Sequence, residues 1–309
     1  MTEAASRPQT AARVVDWPGW LAAIGAVLSF SIVTPVSKVA LGLGLNPATQ
    51  NTIRFGLAAA LLGLTLLAAG PGRFRLDRRG LWVALGAGAC IGAGSLVYLA
   101  GLAQVDSSVA AMIFALEPLL VLGLLALRGE RFTYRQLVRL GLALGGVYLL
   151  IGPSGRVDLG GAGLILLACF AFALPMALIQ WYLGGYDART TTFYMVGGML
   201  LVNLAWWLTT GREWHDPGWP GWLAILAIAL VSTYAARLLM VAAIGRLGSS
   251  QMALLVPVEL LLTVAWSVLF LGERFTGVQL AGGALILLSA VLSVVRLRRV
   301  PWRATTEMP

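Results

Sequence analysis

Glu117 and Glu259 are the residues of this chain whose type and setting point to chemistry, because each lies inside a long apolar run and the two runs are near-copies. The first copy reads Ser107-Ser108, Glu117, Gly129-Glu130-Arg131-Phe132-Thr133 and Gln136-Leu137. The second reads Ser249-Ser250, Glu259, Gly272-Glu273-Arg274-Phe275-Thr276 and Gln279-Leu280. The offset is 142 up to the glutamates and 143 after them, so one residue has been inserted between. A carboxylate inside a bilayer must be protonated, paired or set in a wet cavity, since an ionised one in hydrocarbon is costly. Two roles are open to the pair: a proton-coupling or ammonium-binding site, and an interhelical strut held by hydrogen bonds.

Few other side chains qualify. Lys38 and Arg54 lie near one end of their apolar runs, from where a long basic side chain can snorkel to water. Arg237 is deeper, placed either to line a central path or to pair with an acid such as Glu259. Tyr98 and Tyr234 are candidate aromatic walls of a cavity. Pro35, Pro175, Pro118 and Pro257 each interrupt an apolar run, and a proline there frees a backbone carbonyl one turn back and kinks the helix. Interrupted helices often build the substrate sites of transporters. The one histidine, His215, is in a polar stretch beside Asp216, while Cys90 and Cys169 are isolated within apolar runs. That supplies neither a metal-ligand set nor a catalytic base, and no phosphate-binding Gly-x-x-x-x-Gly-Lys motif occurs. The expectation is a protein that is not an enzyme, with no catalytic residue, metal or cofactor.

These residues need elements to hold them, and composition names the kind. The chain is 59% hydrophobic and 11% charged, with a mean hydropathy of +0.86, too apolar for a water-soluble globule. Unbroken apolar runs of bilayer length select helices, since hydrocarbon satisfies no backbone hydrogen bonds. Ten spans are expected, at roughly 18–42, 49–69, 80–102, 107–127, 135–152, 160–183, 189–209, 220–243, 249–271 and 277–296. With the N-terminus inside, sixteen of the 22 Lys and Arg residues fall in cytoplasmic segments and three in outer loops. The positive-inside rule then places both termini in the cytoplasm and assigns the +9 charge to membrane orientation rather than nucleic acid. Five spans per half is an odd number, so the halves are inverted relative to each other: a cytoplasmic tail 1–17, a first repeat 18–152, a second repeat 160–296 and a basic tail 297–309.

Local patterns fill in the joints. Gly129 and Gly272 read as left-handed helix ends, and Thr133 with Gln136 and Thr276 with Gln279 as capping boxes. Ser107 and Ser249 read as N-caps. Gly88 and Gly92, like Gly141 and Gly145, have the spacing of close helix packing or a dimer face. Trp20, Trp82 and Trp222, at helix starts, read as an interfacial belt.

The doubled arrangement of Glu117-Pro118, Gly-Glu-Arg and Gln-Leu over ten spans resembles the drug/metabolite transporter superfamily, in its ten-helix form with two EamA-type repeats. In the second half the proline precedes the glutamate, as Pro257-Val258-Glu259, so the carboxylate is shared and the proline position is not. The resemblance implies a central cavity between the halves and export of small metabolites across a bacterial inner membrane, with the amino-acid exporter branch as the nearest reading. It implies a small-molecule substrate and a lipid bilayer; the midspan glutamates admit proton coupling, and both a monomer and a homodimer stay open. Other substrates of the same fold (drugs, nucleosides, sugars) stand as the alternative. From other classes, a membrane-embedded lipid-modifying enzyme and a non-transporting sensor remain.

Overall fold

The structure is a computed structural model, and it describes residues 16–70, 75–102, 104, 113–114, 116–129, 134–151, 159–210, 216–271 and 277–294. Ser107, Thr133, His215, Gly272 and Thr276 lie outside these residues, as do the tails before 16 and after 294. The described residues are helical, with no strand among them. The first half holds α1 (Trp17–Ser31), α2 (Val33–Gly42), α3 (Pro47–Ala69), α4 (Arg78–Leu102), α5 (Glu117–Ala126) and α6 (Tyr134–Ile151). The second holds α7 (Leu159–Leu178), α8 (Ala188–Thr210), α9 (Gly218–Ala227), α10 (Ala236–Leu247), α11 (Ser249–Ala253), α12 (Val256–Leu271) and α13 (Gly277–Val294). A π-helical stretch, Ile179–Leu183, continues α7, and another, Ile228–Ala235, joins α9 to α10. Six runs are long and apolar enough to cross a bilayer: Trp17–Ser37, Pro47–Ala69, Arg78–Gly101, Leu159–Leu183, Ala188–Thr210 and Gly218–Leu247. This is a multi-pass membrane protein.

The helix starts use the chain's short polar side chains. Asp16 accepts from the Gly19 N–H (3.2 Å), Asn46 from Ala48 (2.9 Å), Asp77 from Gly80 (3.1 Å) and Asp187 from Thr190 (3.2 Å). Asp216 takes the Gly218 N–H and the Trp222 indole N–H, at 3.1 and 2.9 Å. All four described aspartates therefore serve helix starts, which leaves Glu117 and Glu259 as the described acids without that duty. Ser249 is not an N-cap. Gly248 holds that position at φ +87°, and Gln180 Oε1 accepts from both the Ser249 N–H and its hydroxyl, each at 2.6 Å.

Contacts between helix ends sort the bundle into two faces. Arg128 stacks on Trp181, Gln180 holds Ser249, Tyr186 donates to Asp77, and Arg246 pairs with Asp16 at 3.5 Å. These links gather one end of α1, α4, α5, α7, α10 and α11 at an Arg-rich face. At the opposite face the Trp207 indole N–H donates to Thr49 Oγ1 (3.1 Å), and Ala40 and Leu45 pack with Ala224 and Ile225.

Between the faces, α4 packs on α7 and α8, α3 on α8, α1 on α10, and α6 on α13. Gly88 and Gly92 let α4 touch α8 closely: a Cβ on Gly88 would sit 1.9 Å from the Met195 carbonyl oxygen, and one on Gly92 3.0 Å from Met199 Cα. Gly141 and Gly145 do not share this role, since a Cβ on either would meet nothing within 4 Å. In α6 it is Gly146 that packs closely, against the Gly282 carbonyl. Trp20 departs from the belt expectation as well. It is buried in the main core with Ala23 and Val27, whereas Trp82 is exposed as a belt residue should be.

Candidate functional site

The sequence places Glu117 and Glu259 midway along continuous helices. The structure instead restarts a helix at each. Leu116 is a turn residue and α5 begins at Glu117, while Leu254 and Leu255 form a turn before α12, whose first turn holds Glu259. The prolines explain the restarts. Pro118 brings no N–H to the Phe114 carbonyl and Pro257 none to that of Ala253, so the ladder lapses just before each glutamate. Both carboxylates thus occupy the first turn of a resumed helix, the end whose dipole favours negative charge. The proline can stand on either side of the glutamate because it acts on the carbonyl four residues back.

Depth brings a third residue to the same level. Glu117 is ten residues from Leu127, Arg237 ten from Leu247, and Glu259 ten from Ser249, and all three reference residues are at the Arg-rich end. At 1.5 Å per residue each is about 15 Å in, half of a ~30 Å hydrocarbon core. The three groups are within electrostatic reach of one another, but neither glutamate is in ion-pair contact with a described basic residue. Arg237 does not pair with Glu259 directly. Its guanidinium lies 4.9 Å from the Phe30 ring centroid, one Nη reaches Met240 Sδ at 3.8 Å, and its buried Nε has no hydrogen-bond partner.

Arg54 belongs here too, against the snorkelling expectation. It is buried, and its Nε donates to Thr233 Oγ1 at 2.5 Å, inside the π-helical stretch that leads to Arg237. The Thr233 hydroxyl passes its own hydrogen to the Ile228 carbonyl, five residues back, at 3.2 Å. Ser232 donates to the Ser29 carbonyl at 2.7 Å, so the same stretch grips α1 and α3 together. Nearby, the Trp266 indole N–H donates to Ser31 Oγ (2.9 Å) at the break between α1 and α2.

The remaining candidates divide. Tyr98 meets Phe114 edge-on (5.7 Å), which meets Phe172 (5.5 Å), and the Cys169 thiol reaches the Ile113 carbonyl at 3.5 Å. Tyr234 is half-buried against the main core. Pro35 is buried just after the α1–α2 break, and Pro175 is buried within α7, which continues into π-helix rather than ending. The Lys38 side chain lies outside the described residues. Among the described residues no group of three His, Cys, Asp or Glu could hold a metal.

Sequence reasoning missed Thr233, Phe30 and Ser31 and misplaced Arg54. One signal was available: Arg54 is seven residues past Pro47, about 10 Å from the helix end. That depth strains a snorkelling side chain, and Thr233 among apolar residues offers a partner.

Comparison with known proteins places this arrangement. A family model described as the EamA-like transporter family matches residues 17–152 and again 159–295. An uncharacterized transporter of Archaeoglobus fulgidus is 25% identical over 197 residues, 63% of this chain and 70% of that one. The uncharacterized transporter YcbK of Bacillus subtilis is 27% identical over 259 residues, 79% of this chain and 82% of that one. A protein crystal structure at 18% identity superposes with a TM-score of 0.74, covering 89% of this chain and 96% of the other. That likeness bears on fold alone.

Proposed function

The chain belongs to the EamA-like transporter family, and on that footing we propose that it is a secondary transporter working by alternating access on amino acids or similar amphipathic metabolites. The observation that carries this is the meeting of Glu117, Glu259 and Arg237 at one depth, on helices from both halves, with neither carboxylate in contact with the guanidinium. A zwitterion fits such a site. Its ammonium group suits a carboxylate and its carboxylate suits a guanidinium with an unused N–H. The second glutamate is then available to a coupling proton.

The wider reading is ten spanning helices in two inverted sets of five, both termini in the cytoplasm, in a bacterial inner membrane. The doubled family match supports it, as do the pairings of α3 with α8 and α6 with α13, which are equivalent positions in two five-helix halves. The Arg-rich face supports the orientation. Halves of this kind can exchange conformations and so exchange which side is open.

Flux in proteoliposomes tests this. Radiolabelled amino acids are offered with and without an imposed pH gradient to the parent, Glu117→Gln and Glu259→Gln. The expected outcome is flux accelerated by the gradient, with a loss of at least tenfold in either variant while each elutes as a folded monodisperse species. Gradient-independent flux that survives both changes would assign the glutamates to structure. No flux of any amino acid would remove the substrate class.

A further inference from the structure

Two guanidinium groups at the Arg-rich face take no part in the central site. Arg128, just beyond α5, lies over the rings of Trp181 and Tyr182, 4.5 and 4.7 Å from their centroids, and hydrogen-bonds the Tyr182 hydroxyl. Arg79, in the first turn of α4, lies 4.8 Å from the same Tyr182 ring. Two like charges therefore share one aromatic platform. Neither is in ion-pair contact with a carboxylate among the described residues. Asp77, the nearest acid along the chain from Arg79, is held by the Tyr186 hydroxyl (2.5 Å) and the Gly80 N–H (3.1 Å).

Stacking occupies the face of a guanidinium and leaves its in-plane N–H edge for an oxyanion. The Trp181 indole N–H, in the plane of the ring that Arg128 covers, is buried without a hydrogen-bond partner. An oxyanion here would offset the repulsion between the arginines and occupy donors that the protein leaves unused. The surroundings indicate which one. Trp82, one turn from Arg79 on the same helix face, is 71% exposed, and Leu127, beside Arg128, is 81% exposed. Large apolar side chains exposed at the end of a membrane bundle face acyl chains near the headgroup boundary, not water.

We propose that Arg79, Arg128 and Trp181 form a binding site for the phosphate of an anionic phospholipid in the leaflet on the Arg-rich side. The site is built by the ends of α4, α5 and the π-helical continuation of α7, and it draws on no part of the transport reading except membrane insertion. Each basic residue near an anionic surface contributes about 1 kcal/mol, so two give a preference on the order of tenfold or more over a zwitterionic lipid.

The test is native mass spectrometry of the purified full-length protein with equimolar phosphatidylglycerol and phosphatidylcholine. The parent should retain phosphatidylglycerol with roughly tenfold preference. Arg79→Gln/Arg128→Gln should lose the preference, while Arg189→Gln, which removes an exposed charge at the start of α8, keeps it. Trp181→Phe keeps the stack but removes the N–H; it should weaken retention, and it serves as the test should the double variant fail to fold. Equal retention of both lipids by the parent overturns the proposal, as does a preference unchanged in the double variant. Displacement of phosphatidylglycerol by millimolar inorganic phosphate also overturns it, because the site would then serve free phosphate.

Discussion

A buried guanidinium in a bilayer is costly, less so when its donors are occupied, and Arg54 shows how one residue type on a facing helix supplies the partner. Thr233 accepts from Arg54 and donates onward to Ile228, so a single hydroxyl serves both as acceptor for a charge and as donor to the π-helical backbone. Thr233→Val keeps the shape and removes both bonds. Loss of a hydrogen bond to a charged group costs about 1.5–3 kcal/mol in soluble proteins and somewhat less between membrane helices. Thermal unfolding in detergent should therefore show a clear fall in Tm for Thr233→Val, a smaller one for Ser232→Ala, and near-parental behaviour for Thr233→Ser. A silent Thr233→Val would mean that Arg54 finds another acceptor. Arg237 makes the contrast at this scale: its neighbours are the Phe30 ring and a methionine sulfur, and its Nε has no hydrogen-bond partner.

At the scale of elements, the same small-residue spacing does different work on different helices. Gly88 is pressed against the Met195 carbonyl and Gly198 against that of Leu85, so α4 and α8 meet backbone to backbone. A backbone oxygen cannot swing aside as a side chain does. Gly88→Ala should force the two helices apart, with a cost of about 1–3 kcal/mol or failure to fold. Gly141→Ala adds its methyl to open space in a helix interior and should be neutral or slightly stabilising. Comparing folded yield and Tm of the two variants separates the cases, and equal losses would contradict the packing described. Sequence could give the spacing but not the partner, because a uniformly apolar helix has no polar face to mark the side that is packed. The same lack of phase hid the π-helical stretches after Pro175 and before Arg237. By contrast the duplicated glutamates and the Gly129 turn carry their own chemistry, and those were legible. The restart of α5 and α12 at the glutamates was half-legible: the prolines were visible, but their effect on where the helix resumes depends on backbone geometry.

At the scale of the whole molecule, the two halves are tied together at the Arg-rich face by links that are individually weak. Arg246 and Asp16 form an exposed pair of the kind worth about 1 kcal/mol or less, and Tyr186 joins Asp77 across the halves. On the alternating-access proposal, weak links suit an end that opens in each cycle, since a strong closure would trap one state. The Tyr186 hydroxyl holds the Asp77 carboxyl below its usual carboxylate range, against an opposing effect of desolvation, with the Gly80 N–H helping. A depressed carboxyl contributes its stabilisation above the unfolded value and loses it only as pH falls through the folded one, which here is below 3.8. This closure should therefore be indifferent to pH between about 8 and 5. A cysteine replacing buried Ala177, one turn inside Gln180, reports it in a background without Cys90 and Cys169. Tyr186→Phe with Arg246→Gln should raise its labelling by an aqueous thiol reagent about fivefold over the parent, the shift from losing about 1 kcal/mol of closure. The ratio should hold constant from about pH 8 to pH 5, because the thiol's own titration cancels between variant and parent. An unchanged rate would mean that these links ornament an end already open. A ratio that falls as pH drops through the neutral range would place the control of closure on a group other than Asp77.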